Sequence, residues 1–256
     1  MQPQLHWRTI ARVSGTRIRI GTAGWAIPRA AAEYFPAVGT HLQRYASGLN
    51  CVEINSSFYR PHRYETYVRW AATTPEDFRY AVKMPRLITH DQQLRRPRVA
   101  LERFLAESSG LGQKRGPVLV QLPPSHACDA RVAGRFFAHV RERFAGPLVC
   151  EPRHPSWFTP SVDRLLHRFR VARAAADPAV AAGAERPGGW DGLAYFRLHG
   201  SPRMYWSRYS PTDVAALAQI LGGHASTSVE TWCVFDNTAA GAAIENALEV
   251  QRHLQR

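Results

Sequence analysis

The sequence predicts an α/β protein, a single (β/α)8 TIM-type barrel with a short N-terminal extension, and three observations predict it. Eight short β-branched or apolar runs recur along the chain. Stretches with helical spacing separate most of them. Most of the runs also carry polar side chains at alternate positions near their C-terminal ends, where barrel enzymes build their sites. Strand–helix alternation on this scale implies parallel strands joined by right-handed crossovers. A length of 256 residues suits one such domain. No internal repeat or linker argues for a second domain, so 17–256 is expected to be the barrel and 1–16 the extension.

In chain order, the strand runs are 18–25, 51–59, 78–85, 117–123, 147–153, 171–177, 194–200 and 231–238. Helical spacing marks 34–49 (Phe35, Leu42, Tyr45, Leu49), 99–111 (Leu101, Phe104, Leu105, Leu111) and 131–144 (Val132, Phe136, Phe137, Val140, Phe144). In 211–221, Ser210 is the expected N-cap before Pro211, with Val214, Leu217 and Leu221 on the apolar stripe. A last helix is expected over 240–254. The sixth connection, 179–192, holds Gly183, Pro187, Gly188 and Gly189 and reads as mostly loop. The third connection, 85–97, is long and polar.

Composition bounds the partners. No apolar run reaches the ~18 residues of a membrane helix, and the N-terminus lacks a signal-peptide core, so a cytoplasmic protein with no membrane contact is expected. Cys51, Cys128, Cys150 and Cys233 form no CxxC pair and read as small core residues. The net charge of +13 attracts anions and admits nucleic acid as a partner. Only Lys83 and Lys114 are lysines, however, so 31 of the 33 basic residues are arginine, in a chain also rich in alanine. That texture points to composition more than to a nucleic-acid surface, and no block of five or six basic residues occurs.

Alternation assigns the polar positions to a common centre. Glu53, Asn55 and Ser57 share one face of strand two. Lys83 ends strand three, Gln121 strand four, Glu151 and Arg153 strand five, and Asp177 strand six. Tyr195, Arg197 and His199 alternate on strand seven. On strand eight, Asn237 is taken in phase with Cys233 and Phe235, which leaves Asp236 facing outward. Burying a charge without a partner costs several kcal/mol, so convergence of these groups implies either a site or a self-satisfied ionic layer that plugs the barrel.

These motifs resemble the YecE-like family, also called domain of unknown function 72. The resemblance rests on Gly21-Thr22-Ala23-Gly24-Trp25, Val52 to Tyr59, Val82-Lys83, Ile88-Thr89-His90 and Gln121-Leu122-Pro123-Pro124. It continues with Arg153-His154-Pro155-Ser156-Trp157, Arg197-Leu198-His199-Gly200, Tyr205 and Tyr209-Ser210. It implies a TIM-type barrel and no particular reaction. Ala23, Pro152 and Asp236 stand where the family usually has serine, an aromatic and asparagine.

The chemistry expected first is general acid/base catalysis on a small anionic ligand, phosphorylated or carboxylated and sugar-like. Glu53, Glu151, His199 and Asp177 are the candidate catalytic groups. Lys83, Arg153 and Arg197 are candidate anion holders. Asn55, Gln121, Asn237, Trp25, Tyr59, His90, Trp157 and Tyr209 are candidate contacts around the ligand. Alternatives are a metal-dependent hydrolase or isomerase, a nucleic-acid repair nuclease, and a non-catalytic ligand-binding protein. No cofactor is expected, since GxSxG, P-loop, HxH, HExxH and DxD spacings are all missing from the sequence, which leaves a divalent metal possible but unsupported.

Overall fold

Runs such as Cys51–Ile54 and Leu148–Glu151 are buried at every position, the pattern of strands covered on both faces. The computed structural model describes residues 18–226 and 229–255; the expected extension at 1–16 lies outside them. In chain order the strands are β1 (Ile18–Thr22), β2 (Cys51–Ile54), β3 (Arg79–Lys83), β4 (Arg115–Gln121), β5 (Leu148–Glu151), β6 (Val171–Arg173), β7 (Ala175–Asp177), β8 (Gly188–Gly189), β9 (Leu193–Leu198) and β10 (Glu230–Phe235). The helices are α1 (His41–Gly48), α2 (Tyr64–Thr73), α3 (Arg98–Ser108), α4 (Ala130–Arg141), α5 (Pro160–Arg168), α6 (Pro211–Ser226) and α7 (Ala242–Leu254).

The architecture is mixed α/β with parallel pairing throughout, except for the two-residue β8. The hydrogen-bond ladders divide into two sheets, ordered β1-β10-β9-β7 and β2-β3-β4-β5-β6-β8. The expected sixth strand is therefore two pieces. Ala174 separates them, its N–H donating to Cys150 O at 2.8 Å, after which the chain leaves β5 and pairs with β9. Between β1 and β2 the backbone ladder is replaced by side chains. Asn50 accepts from Ile20 N and donates to Ile18 O, both at 2.8 Å, and the Tyr45 hydroxyl joins Thr22 N at 2.8 Å to Cys51 O at 2.9 Å. One backbone bridge, Ala23 to Glu53, completes that junction.

Local chemistry sets the helix ends. Thr40 and Gln43 form a reciprocal capping box on α1, Asp129 caps α4, and Thr159 with Pro160 opens α5. The expected helix over 34–49 starts only at His41. Phe35 precedes Pro36 and is held extended at φ −128°, ψ 151°, because a residue before proline is driven out of the helical region. Similarly, the expected strand over 51–59 stops at Ile54. Residues Ser56–Phe58 make a tight turn, and Ser57 donates to Ile54 O at 2.9 Å and Lys83 O at 2.7 Å instead of facing a centre. The 179–192 connection contains no helix, as its glycines and proline imply; Gly188–Gly189 lie antiparallel on β6. A single wide π-helical turn over Leu87–Asp91 organises the third connection.

Two apolar clusters hold these elements. The larger lies between strands and helices and includes Val52, Ile54, Val82, Val120, Cys233 and Phe235. The smaller is formed by the opposite faces of strands from both sheets, among them Cys51, Ala81, Leu119, Val149, Ala172, Tyr195, Trp232 and Val234. The odd-numbered side chains of β2, β3, β4, β5 and β9, and the even-numbered ones of β6 and β10, thus share this second face.

Candidate functional site

The charged positions continue the smaller apolar cluster towards the strands' C-terminal ends. Above Cys51 on β2 comes Glu53; above Ala81 on β3, Lys83; above Val149 on β5, Glu151 and then Arg153. Above Tyr195 on β9 come Arg197 and His199, and above Val234 on β10 comes Asp236. All seven are buried, with Glu53, Glu151 and His199 showing 0% exposure.

Arg197 is the hub. Its Nη2 lies 2.7 Å from Glu53 Oε1 and 3.0 Å from Asp236 Oδ2, while Nη1 lies 3.1 Å from Glu151 Oε2. The Nε also donates to Glu53 at 3.0 Å, and Tyr195 OH donates to Glu53 Oε2 at 2.9 Å. One guanidinium thus satisfies three buried carboxylates. His199 forms the second junction. Its Nδ1 faces Asp236 Oδ2 at 3.0 Å and its Nε2 faces Glu151 Oε1 at 2.9 Å. Arg153 Nη2 lies 2.6 Å from the same Nε2 and 2.7 Å from Glu151 Oε1. A ring carrying its hydrogen on Nδ1 donates to Asp236 and accepts from Arg153 at Nε2.

The electrostatics follow from the packing. Burial pushes the Glu151 carboxyl up, but Arg153, Arg197 and His199 overcome it and hold it well below the usual range. Asp236 is likewise destabilised by burial and still held low by Arg197 and by its hydrogen bond from His199. Burial opposes the charge on Arg197, yet Asp236, Glu53 and Glu151 raise it well above its ordinary value. Lys83 is different. Burial, then Arg197, pull it down to about 8 against the opposing pull of Glu53, Glu151 and Asp236. Its Nζ stands 4.2 Å from the Phe58 ring centroid. His90 packs edge-on against the same ring at 4.9 Å, and burial, Lys83 and Arg86 lower it to about 4.

Of the expected site residues, Glu53, Lys83, Glu151, Arg153, Arg197 and His199 come together, with His90 at the edge. Others lie elsewhere. Asp177 is on the wrong phase of its strand. Ala172 and Ala174 face the smaller cluster, so residue 177 falls on the helix side, where its carboxylate accepts from Tyr209 OH at 2.6 Å. Tyr209 is thereby a structural tie, and its hydroxyl also receives Gly200 N at 2.9 Å. Asn237 shares the phase of Cys233 and Phe235 as expected, but that phase faces the helices. It donates to Ser207 O at 2.9 Å and Asn246 Oδ1 at 3.0 Å. The same correction turns Asp236 inward. Trp157 is fully buried, with Nε1 on His126 O at 2.9 Å, and forms no rim wall. Gln121 folds onto Leu122 O at 2.8 Å beside Glu151. Asn55 leaves the strand with helical backbone angles, its buried Oδ1 without a hydrogen-bond partner. Trp25 packs on Trp70 at 5.0 Å, and Tyr59 is largely exposed beside Phe58.

Asp236 and Tyr205 complete the constellation. Inward-facing Trp232 and Val234 were the signal for the first, since bulky residues two apart extend one face. Tyr205 sits edge-on to His199 at 5.6 Å, its N–H bonded to His199 O at 2.5 Å and its φ at +69°. Among the described residues, no group of three or more His, Cys, Asp and Glu is arranged to hold a metal ion, and no helix is long and apolar enough to cross a membrane.

Fold and site together define an α/β protein of parallel strands whose charged groups collect in a buried layer at the strands' C-terminal ends. Comparison supplies the family: residues 19–256 match the family described as "Protein of unknown function DUF72", and the chain belongs to it. It is 30% identical over 168 residues to the UPF0759 protein YecE of Escherichia coli K12, covering 62% of this chain and 59% of that protein. It is 27% identical over 154 residues to the UPF0759 protein YunF of Bacillus subtilis, covering 56% and 53%. The chain thus spans under two thirds of the length of these relatives. A crystal structure of a DUF72 family protein from Enterococcus faecalis superposes with a TM-score of 0.79 at 22% identity over 94% of this chain and 96% of that one. One from Thermotoga maritima gives 0.77 at 24% identity over 93% and 99%. These structural likenesses speak to the fold alone.

Proposed function

We propose that the protein is an enzyme in which His199 performs general acid/base chemistry on a small anionic ligand at the C-terminal mouth of a closed (β/α)8 barrel. Support for the ring comes from its two junctions. The 171–177 segment passes from β5 to β9 at Ala174. At the other junction, a Cβ on Gly21 would lie 2.1 Å from Cys51 O, so only glycine permits the close approach of β1 to β2 that Asn50 and Tyr45 then bridge. With β6 and β7 taken as one strand and β8 as an edge piece, eight parallel strands remain in cyclic order.

The observation that carries the functional reading is the order of charge along the strands. Glu53, Glu151 and Arg197 form an inner row. Lys83, one step above Ala81 as Glu151 is above Val149, belongs with that row. Two residues further towards the C-terminal ends stand Arg153 and His199, with Asp236 in register with His199. The inner row sets two carboxylates against two cations, and the outer row sets Arg153 and His199 against one carboxylate, Asp236. Arg153 Nε is buried without a partner. An anion entering from the mouth therefore meets Arg153 beside an imidazole held between two carboxylates, which can take or deliver a proton, with Lys83 one row deeper. A purely structural plug has no need of this outer charged row, since apolar filling is often as stable. Tyr205 covers His199 from the 200–209 loop, the segment that would move to admit a ligand.

Thermal unfolding in inorganic phosphate, sulfate and pyruvate tests the reading. At least one of these anions is expected to raise the Tm of the wild-type chain, and Arg153→Met to abolish that rise. No rise with any of the three, or an equal rise in the variant, overturns the anion site.

A further inference from the structure

We propose that Lys83 is a covalent catalytic residue whose amine condenses with the carbonyl of a 2-oxo carboxylate to form an imine; this deepens the anion-site reading above and rests on it. Three independent features of the chain lead there.

The first is pairing. Arg197 and Arg153 each hold carboxylates within 3.1 Å, whereas the contact made by the Lys83 ammonium is the Phe58 ring face at 4.2 Å. A cation placed to anchor the layer would be expected to claim one of its oxygens. An amine placed to react is better left over an aromatic wall.

The second is residue type. Arginine supplies 31 of the 33 basic positions. Arginine binds carboxylates better, through its planar fork, but it stays protonated and cannot act as a nucleophile. Lysine at the tip of β3 is the exception a nucleophile requires. The other lysine, Lys114, donates to Ala71 O and Thr74 O, both at 2.6 Å, as a structural clamp away from the layer.

The third is environment. The charged groups facing Lys83 are Arg197 from β9, Glu53 from β2, Glu151 from β5, Asp236 after β10 and His90 from the third connection. Burial and Arg197 outweigh the carboxylates, leaving a workable fraction of free amine near neutral pH.

The step balances without an oxidant or reductant. The Nζ lone pair attacks the carbonyl carbon and forms the C–N bond, while the C=O π pair moves onto oxygen. One amine proton passes to that oxygen, giving a carbinolamine. His199, the general acid/base of the reading above, delivers a second proton. Water leaves as the nitrogen lone pair closes the C=N bond, so Lys83 ends as a protonated imine with one hydrogen on nitrogen. Arg153 holds the substrate carboxylate.

The test incubates the full chain with pyruvate and sodium cyanoborohydride, followed by intact-mass measurement and peptide mapping. One reduced pyruvyl group is expected on Lys83 and none on Lys114, with the rate of labelling half-maximal near pH 8. Lys83→Arg, which keeps the charge, is expected to abolish labelling; Lys114→Arg is expected to leave it unchanged. No adduct, or labelling of Lys114 to the same extent as Lys83, overturns the imine. The wild-type map decides this even if a variant misfolds. A rise in Tm with any of the three anions but no adduct removes the imine and leaves the anion site standing; no adduct and no rise with phosphate, sulfate or pyruvate removes both.

Discussion

Arg141 and Lys114, below the strands, and Arg153 and Arg197, at their C-terminal ends, hold their charges in different ways. Before β5, Arg141 donates to four backbone carbonyls, those of Phe169, Phe144, Gly146 and Arg170, at 2.6–3.1 Å. Before β4, Lys114 does the same with Ala71 and Thr74. Burial lowers both groups, against a weaker opposing pull of Glu76 on Lys114. Past the strands' C-terminal ends, Arg153 and Arg197 face Glu53, Glu151, Asp236 and His199 instead. A carbonyl cannot titrate, so Arg141 and Lys114 are fixed staples, although Arg19 at the same end also meets the Asp77 carboxylate at 3.4 Å. A carboxylate or an imidazole can, so the C-terminal end responds to protons and to ligands. Buried carboxylates coupled to cations and an imidazole at this end are what the proposed site requires.

The sharpest way to break that contrast is to remove one cation from each end. Arg197→Met leaves three buried carboxylates without their common partner and is expected to cost about 3–5 kcal/mol in chemical denaturation at pH 7. The loss should shrink as the pH falls and the orphaned carboxylates take up protons. Arg141→Met forfeits hydrogen bonds to neutral acceptors and is expected to cost about 1–3 kcal/mol with no such pH dependence. Equal, pH-independent losses would erase the distinction between the two ends.

The contrast also explains which parts of the molecule were legible in the sequence. Parallel α/β pairing, most helices and six of the convergent charges follow from period-2 alternation along β2, β3, β5 and β9, because each keeps its phase up to the charged tip. The reading fails where phase cannot be carried through. On the sixth strand the interior phase is carried by alanines, Ala172 and Ala174, which signal neither inside nor outside, so Asp177 was placed one residue out of step. On β10 both faces are apolar, Trp232 and Val234 on one side, Cys233 and Phe235 on the other, and hydropathy alone could not choose between Asp236 and Asn237. The β1–β2 junction was invisible for another reason: a side-chain amide and a phenol do there what a backbone ladder does elsewhere.

An intermediate effect is expected from pH alone, and it sharpens the contrast by acting on one end only. Glu151 and Asp236 are held below their unfolded values, near 4. Their stabilisation is complete above that value and is lost as the pH falls through the lower, folded values. Lys83 runs the other way. Between about 8 and its unfolded value near 10.4 the unfolded chain binds a proton that the native chain does not, so stability contributed at this position rises with pH across that window. Subtracting the pH–stability curve of Lys83→Met from that of the wild type isolates the term. A flat difference between pH 8 and 10 would mean that Lys83 is fully charged in the native state and belongs with the staples.

The smallest effect tests whether the boundary of the responsive end has been drawn at the right residue. Asp177 lies at the tip of β7, one strand away from His199, yet it faces the helices and accepts from Tyr209 OH at 2.6 Å. An asparagine can accept the same hydrogen bond without a charge, so Asp177→Asn is expected to change unfolding free energy by no more than about 1 kcal/mol. It should leave the acid limb of the pH–stability curve where it was. Asp236→Asn removes a carboxylate that touches both Arg197 and His199 at 3.0 Å and should move that limb. If Asp177→Asn shifts the acid limb as far as Asp236→Asn does, the ionic layer extends across the phase change at Ala174, and strand phase would no longer mark where the responsive end stops.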